Sequence, residues 1–262
     1  MRSIFSFSLI VFALSTTGCL VVTVPGPTPE KISLPSAPPE PQANQGSTIV
    51  VVGDNHGVII NNGTASLHSQ TLGTGETISQ LRKLGSFTRL SCTGTLDVEV
   101  MCGKTQSVTV TAQANLQPLI RTEVHGDTLT ITEEGSLHTD KPLRVKVTCP
   151  TLDSISSRGT GSVQVSQLKT HNVSVDLSGT GTITLSGTTE AADLQLAGTG
   201  ELDAEDLQAH EVTAQCSGTG SLLVWATQRL DARVSGTGSV LYKGKPEQLR
   251  EQTSGLGAIR QR

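Results

Sequence analysis

Aromatic side chains are scarce in this sequence, which has one tryptophan, one tyrosine and four phenylalanines among 262 residues. Beyond the first 12 residues only Phe87, Trp225 and Tyr242 remain. Proteins that bind single-stranded nucleic acid stack the bases on aromatic side chains within a basic groove. This chain has a formal net charge of −4 and no basic run, so its composition argues against nucleic acid as a partner.

Motifs for metals and cofactors are also missing. No Cys-x-x-Cys or His-x-x-x-His spacing indicates zinc, and His56 beside Asp54 lies in a Gly/Asp/Asn cluster that is typical of a turn. The glycine-rich segments lack the aspartate of calcium-binding β-rolls, and they lack the third glycine and the helix of a dinucleotide site. We therefore expect no metal and no cofactor.

A Gly-Thr-Gly triplet, in contrast, recurs through the second half of the chain. The five copies and a degenerate sixth begin at Gly159, Gly179, Gly198, Gly218, Gly236 and Gly255. Their first glycines are 20, 19, 20, 18 and 19 residues apart. Such a regular period indicates stacked copies of one small unit.

The segments between the triplets alternate apolar and polar residues, which predicts strands with one buried face. Examples are Ile183 and Leu185 after a triplet, and Leu194 and Leu196 before the next. A coil of about 19 residues cannot bury its inner face alone, but a stack of coils can. The sequence therefore predicts an all-β fold, a parallel β-helix. Right-handed coiling follows from the preferred hand of parallel connections.

Glycine suits the corners between these strands, because it permits positive φ and close approach of neighbouring backbones. Counting outward from the triplets, Leu223 and Trp225 point away from the core on one coil, and Leu241 does so on the next. Large apolar side chains on adjacent rungs form an exposed strip that usually marks a contact surface. The alternative is that residues 244–262 fold back and cover this strip, because solenoid ends need caps.

The N-terminus resembles an export signal, with Arg2, a short apolar run and small residues ending at Cys19. The sequence Thr16-Thr17-Gly18-Cys19 is similar to a bacterial lipoprotein box, although threonine replaces the usual leucine. The resemblance implies that Cys19 is lipidated and becomes the first mature residue. Leu20 follows the cysteine where an aspartate would indicate retention, so the resemblance implies the outer membrane.

Three segments follow the signal at residues 1–19. Residues 20–47 hold seven of the eleven prolines and predict a flexible tether. Residues 48–81 begin with two β-branched runs around a turn cluster, which predicts a short hairpin followed by loop. Residues 82–262 form the β-helix domain, whose first coils are less regular than those of the repeats.

Four cysteines follow Cys19. Cys216 occupies the inward column of Leu196 and Val234, so we expect a small core residue there. Cys92, Cys102 and Cys149 also share the parity of inward neighbours. An exported compartment permits a disulfide, for which Cys92–Cys102 is the favoured pair, with free buried thiols as the alternative.

Beyond the triplets, several motifs resemble the putative auto-transporter adhesin, head GIN domain family over residues 82–260. They are Leu84-x-x-Phe87, Pro150-x-Leu152, Tyr242-x-Gly244-x-Pro246 and Gly255-x-Gly257. Family members usually carry Gly-Ser-Gly followed by aspartate, where this chain has Gly-Thr-Gly followed by Thr, Glu or Ser. The resemblance implies a bacterial exported β-helix and brings no catalytic residues.

These features favour a lipid-anchored, non-enzymatic module of the cell envelope that binds or adheres to an envelope glycan or protein. A polysaccharide hydrolase or lyase is the rival, because Asp203 and Glu205 point outward about 6.6 to 7 Å apart, with Glu201 on the same face. No basic partner accompanies them, so a solvated face is the simpler interpretation. An envelope structural protein without a discrete ligand is the third alternative.

Overall fold

The structure, a computed structural model, describes residues 70–262 and the backbone of five short strands at residues 11–12, 19–22, 49–52, 59–61 and 64–66. The chain divides into two compact units. The first comprises residues 1–72 with Gly135–His138, and the second comprises Gly73–Glu134 with Thr139–Arg262.

Within the described ranges the secondary structure is almost entirely β, with one 3-10 turn at Gln117–Leu119 and no α-helix. Consequently, none of the described residues lies in a helix that is long and apolar enough to cross a membrane. The strands in chain order are β1 (Val11–Phe12), β2 (Cys19–Val22), β3 (Ile49–Val52), β4 (Ile59–Asn61), β5 (Thr64–Ser66), β6 (Gln70–Leu72), β7 (Thr77–Arg82), β8 (Arg89–Gly94), β9 (Asp97–Cys102), β10 (Ser107–Gln113), β11 (Ile120–His125), β12 (Thr128–Glu133), β13 (Ser136–His138), β14 (Arg144–Cys149), β15 (Ser154–Gly159), β16 (Ser162–Leu177), β17 (Thr182–Leu196), β18 (Glu201–Cys216), β19 (Ser221–Gly236), β20 (Ser239–Lys243), β21 (Gln248–Gly255) and β22 (Ala258–Gln261).

The first unit contains three small sheets. β2 pairs antiparallel with β1 and β3, β4 pairs antiparallel with β5, and β6 pairs parallel with β13. Both β-branched runs of the predicted hairpin are therefore strands, but β3 and β4 pair with other strands and not with each other. The turn cluster with His56 and Asp54 lies outside the described residues, as do residues 23–47 of the predicted tether and most of the predicted signal.

The second unit is a β-solenoid of about five turns, which confirms the predicted parallel β-helix preceded by less regular coils. Strands β16 to β19 each contribute two halves, separated by a shift in register. The first halves stack in parallel with β9, β20 and β22 to form what we call the post-triplet sheet. The second halves stack with β8, β15 and β21 to form the pre-triplet sheet.

Irregular strands begin both sheets. β14 pairs parallel with β9, and β10 and β7 then extend the post-triplet sheet by antiparallel pairs. β12 pairs parallel with β8 and antiparallel with β11 at the start of the pre-triplet sheet. The chain therefore starts with antiparallel pairing and changes to uniform parallel stacking where the repeats begin.

The core of the second unit consists of columns of aliphatic side chains between the two sheets. The alternating inward residues are fully buried on successive rungs of the post-triplet sheet, as in the column Val163, Ile183, Leu202, Leu222 and Val240. Burial of one such side chain stabilises the fold by roughly 1.5–3 kcal/mol. The repeat therefore stabilises the stack because every coil contributes to the same columns.

The triplets form the predicted corners, and close backbone approach is the main reason for their glycines. A Cβ atom on Gly218 would lie 2.1 Å from the carbonyl oxygen of Gly198 on the preceding coil. The amide of Thr219 donates to this same oxygen at 3.0 Å. Positive φ, the other predicted reason, occurs at Gly236 and Gly255 but not at Gly198 or Gly218.

The C-terminal residues add one further rung. β21 pairs with the second half of β19, and β22 pairs with β20. Glu251 and Thr253 stack on the buried residues Ala232 and Val234, so polar residues replace two of the apolar columns in the last coil. Two other columns continue, because Leu249 stacks on Leu230 and Ile259 on Val240. The polar replacements act as a partial cap, since solenoid ends need polar residues for solubility.

Candidate functional site

The predicted apolar strip lies on adjacent rungs of the post-triplet sheet. Leu223 pairs with Leu241, and Trp225 pairs with Lys243 on the same neighbouring strand. Leu223 is only 8% exposed, and Trp225 and Leu241 are half-buried. The structure therefore brings the three residues together but does not leave them as an open apolar surface.

The charged side chain of Lys243 covers one face of the Trp225 ring. The Lys243 ammonium lies 4.4 Å from the ring centroid, and it donates a hydrogen bond of 3.3 Å to the Glu205 carbonyl oxygen. The Glu205 carboxylate pairs with the Arg262 guanidinium at the C-terminus. A cation over an indole ring stabilises the contact by about 0.5–2 kcal/mol, so Lys243 holds Trp225 in place while the Glu205 carbonyl oxygen orients the ammonium.

The alternative in the sequence analysis is that residues 244–262 fold back and cover the apolar strip. The structure shows less cover than this alternative predicts. Residues 248–261 continue the stack as β21 and β22 and do not fold back over it. Arg260 lies beside Leu241 on the next rung, and Arg262 reaches Glu205. Within this segment, Arg260 is the residue that the strand pairing places next to the strip.

The carboxylates of the rival enzyme hypothesis have protein partners. Oδ1 of Asp203 accepts a hydrogen bond of 3.0 Å from the backbone amide of Glu205. Glu205 pairs with Arg262, as described above, while Glu201 is exposed on the surface. A general acid and base need free access to a reacting group, and this arrangement instead gives Asp203 and Glu205 structural contacts.

The cysteines differ from the prediction in their pairing. All four that follow Cys19 are buried and free, and Cys102 lies beside Cys149, with the two Sγ atoms 3.9 Å apart. Cys92 lies between Ile131 and Ser157 on its neighbouring strands. Cys92 and Cys102, the predicted pair, lie on strands that do not pair with each other, because β9 pairs with β14 and β16 and not with β8. Burial raises the pKa of Cys92 to about 12, as expected for an inert core thiol.

The outer surface of the pre-triplet sheet carries polar residues that the sequence analysis did not single out. Two columns of polar side chains run along it, one residue on each rung. They are Ser154, Ser174, Asp193, Thr213, Asp231 and Arg250, and Ser156, Asp176, Gln195, Gln215, Arg233 and Gln252. We call this surface the polar face. The parity count that located Trp225 would have found it, had it been applied to the strands before the triplets.

Open grooves border the polar face on both sides. One of about 300 Å³ lies along the triplet corner and is lined by Gln195, Gln215 and Arg233 among others. Another of about 560 Å³ lies at the opposite corner, beside Asp193 and Thr213. Both grooves are open and are lined by residues of several successive rungs.

Arg233 is one of two cations on the polar face, and it lies on the rung before the last, next to the rung of Arg250. Its guanidinium donates hydrogen bonds to Asp231 Oδ2 at 2.9 Å and to Gln252 Oε1 at 3.1 Å. The Asp231 side chain is 12% exposed and the Arg233 side chain 41% exposed. Arg233 is thus oriented by its neighbours while part of its guanidinium stays accessible, which suits recognition of a polar or anionic group.

The described part of the chain holds no group of three His, Cys, Asp or Glu side chains close enough to bind a metal ion. The fold and the surface described above define a class of protein. It is a β-solenoid that presents a polar face bordered by grooves. A family model for the putative auto-transporter adhesin, head GIN domain matches residues 86–246, and the chain belongs to this family.

Solved structures resemble the chain over most of its length. A putative adhesin from Bacteroides fragilis is 25% identical, with a TM-score of 0.61 over 73% of this chain and 99% of the other. A putative lipid binding protein and a putative adhesin, both from Parabacteroides distasonis, are 23% and 21% identical, with TM-scores of 0.46 and 0.45. Each matches 74% of this chain and 100% of its own. No curated protein matches this chain.

Proposed function

We propose that this protein is a non-enzymatic binding module of the bacterial cell envelope, anchored in the outer membrane by lipid on Cys19, with the polar face as its ligand surface. The polar face carries the proposal. Its hydroxyl, amide and carboxylate groups repeat on every rung, about 4.8 Å apart. A polymer with polar groups at each repeat, such as an envelope glycan, matches such a ladder.

Family membership and the structural likeness support this class of function. The matching family is described as adhesin-like, and so is the structure from Bacteroides fragilis. The lipoprotein-like Thr16-Thr17-Gly18-Cys19 and the proline-rich residues 20–47 support the anchor and the tether. A tether of this composition would let the solenoid stand off the membrane.

A screen of the full chain, purified in detergent, against glycans and isolated envelope components tests the proposal. Turnover is followed in the same wells by the release of soluble sugar. We expect saturable binding of at least one glycan without product release. Release of product would instead support the polysaccharide-active enzyme, and no binding to any component would leave the structural-protein alternative.

Matched variants locate the surface. The double variant Gln195→Ala/Gln215→Ala removes two neighbouring amides from the polar face, and we expect it to weaken binding about tenfold, which corresponds to about 1.4 kcal/mol. The control, Gln164→Ala/Thr182→Ala, changes two exposed residues of the post-triplet sheet and should bind as the wild type does. If only the control variant lost binding, the ligand would bind the post-triplet sheet. The proposal that it binds the polar face would then be wrong.

A further inference from the structure

We infer that Cys102 and Cys149 form a disulfide in the exported protein, a modification that links β9 to β14. The inference rests on the export that the proposed function includes. The two cysteines are the last residues of their strands and face each other directly in the parallel register. Their sequence separation of 47 residues makes the link long-range, so it would close most of the irregular first coils into one loop.

The geometry fits a disulfide after a small movement. Neighbouring strands lie about 4.8 Å apart, within the Cα separation of roughly 4.4–6.8 Å that disulfides span. The two Sγ atoms, at 3.9 Å, must approach to the bond length of about 2.05 Å. Rotation of the two side chains supplies this movement most easily at strand ends, where the ladder does not continue.

The backbone keeps the two strand ends together. The amide of Gly103 donates to the Pro150 carbonyl at 3.0 Å, and the amide of Lys104 donates to the Cys149 carbonyl at 3.2 Å. The thiols are therefore held close by main-chain hydrogen bonds on the next residues, and their proximity does not depend on side-chain packing alone.

The other cysteines following Cys19 have no such partner. Cys92 lies between Ile131 and Ser157, and Cys216 lies between Leu196 and Val234. Among the described residues, the contact between Cys102 and Cys149 is the single close approach of two sulfur atoms. The pairing is thus selective, and it leaves two buried thiols as internal controls.

The bond must form before the solenoid closes, because Cys102 and Cys149 are 0% exposed in the folded chain. The oxidant is a disulfide, either that of a thiol oxidoreductase or that of oxidised glutathione. The thiolate of one cysteine attacks this disulfide, forms a mixed disulfide and releases one donor thiolate. The second cysteine, as thiolate, attacks the protein sulfur of the mixed disulfide and releases the second donor thiolate.

In total, the cysteines lose two electrons and two protons, and the donor disulfide is reduced to two thiols. The two cysteines are the last residues of paired strands, so their sulfur atoms meet when β9 and β14 pair, before the rest of the solenoid encloses them. Folding itself therefore brings the attacking sulfur to its partner.

Peptide mapping of the exported full chain tests the inference. The protein is alkylated under denaturing conditions without reductant and digested with trypsin and a protease that cleaves after glutamate. The second protease is needed because Cys92 and Cys102 share the tryptic peptide 90–104, which Glu99 divides. We expect the Cys102 peptide to be joined to the Cys149 peptide, with Cys92 and Cys216 alkylated. A Cys92–Cys102 link, or full alkylation of all four, would overturn the inference.

Refolding separates a failure of export from a failure of pairing. The reduced, unfolded full chain is refolded with oxidised glutathione and mapped in the same way. If the cellular protein is reduced, the inference is wrong, whatever the refolded chain shows. A Cys102–Cys149 link in the refolded chain would then show that the pairing geometry is right and that the assumption of export is at fault. If the refolded chain also lacks the link, the pairing geometry is at fault and the binding function is unaffected.

Stability gives a second readout. Removing a disulfide of this kind by reductant should lower the Tm of the wild type by roughly 5–15 °C. The variant Cys92→Ala/Cys216→Ala should retain this decrease, whereas Cys102→Ala/Cys149→Ala should not respond to reductant. An unchanged Tm of the wild type on full reduction would contradict the inference, provided that mapping confirms loss of the link.

Discussion

The ammonium of Lys243 lies 4.4 Å from the centre of the Trp225 ring, on the next rung of the post-triplet sheet. Because Trp225 is the single tryptophan, its fluorescence reports this contact directly. We expect Lys243→Ala to increase acrylamide quenching of Trp225, since the substitution uncovers one face of the ring. Lys245→Ala, which changes an exposed residue just after the end of β20, is the control. Equal quenching in both variants would show that Lys243 does not cover the ring.

The triplet glycines should resist substitution because of close backbone contact. In Gly218→Ala the new Cβ would meet the Gly198 carbonyl oxygen at 2.1 Å, and the two coils would have to separate. We expect a loss of about 2 kcal/mol or more in the free energy of unfolding, measured by urea denaturation. Glu201→Val, on an exposed strand position, should change it by no more than about 0.5 kcal/mol. If the two variants lost the same free energy of unfolding, the assignment of the triplet glycines to tightly packed corners would be contradicted.

Tyr242 should ionise at unusually high pH. Burial raises its pKa above the ordinary value, and the neighbouring Glu251 carboxylate raises it further. Stability from this group is therefore fully present below about pH 10 and is lost as the pH rises through the raised folded pKa. Because Tyr242 is the only tyrosine, phenolate absorbance measures the transition without interference. Glu251→Gln should move the midpoint down, and an ordinary midpoint in the wild type would contradict the assignment.

The lipid anchor can be tested independently of the fold. Cys19→Ser removes the sulfur that the lipoprotein-like motif places at the start of the mature chain. We expect the variant to appear in the soluble periplasmic fraction or to remain unprocessed. Cys216→Ser is the control for loss of a cysteine elsewhere. Membrane retention of a normally cleaved Cys19→Ser variant would exclude anchoring through this residue.

The sequence alone determined the repeating part of the fold. Alternation placed Leu202 and Leu222 in one buried column, and the period of the triplets placed their coils on adjacent rungs. These signals are strong because a solenoid repeats one local unit, so each coil contacts mainly its neighbours in the chain. The same argument located Leu223, Trp225 and Leu241 correctly on neighbouring strands.

Only the tertiary structure decided the contacts that do not follow the repeat. β9 pairs with β14 across a long insertion, which placed Cys102 beside Cys149 and left Cys92 without a cysteine partner. Alternation also fixes only the side of the sheet on which a residue lies. The cover of Trp225 depends on the long side chain of Lys243 lying over the ring from the next rung, and this contact depends on how the last coils stack.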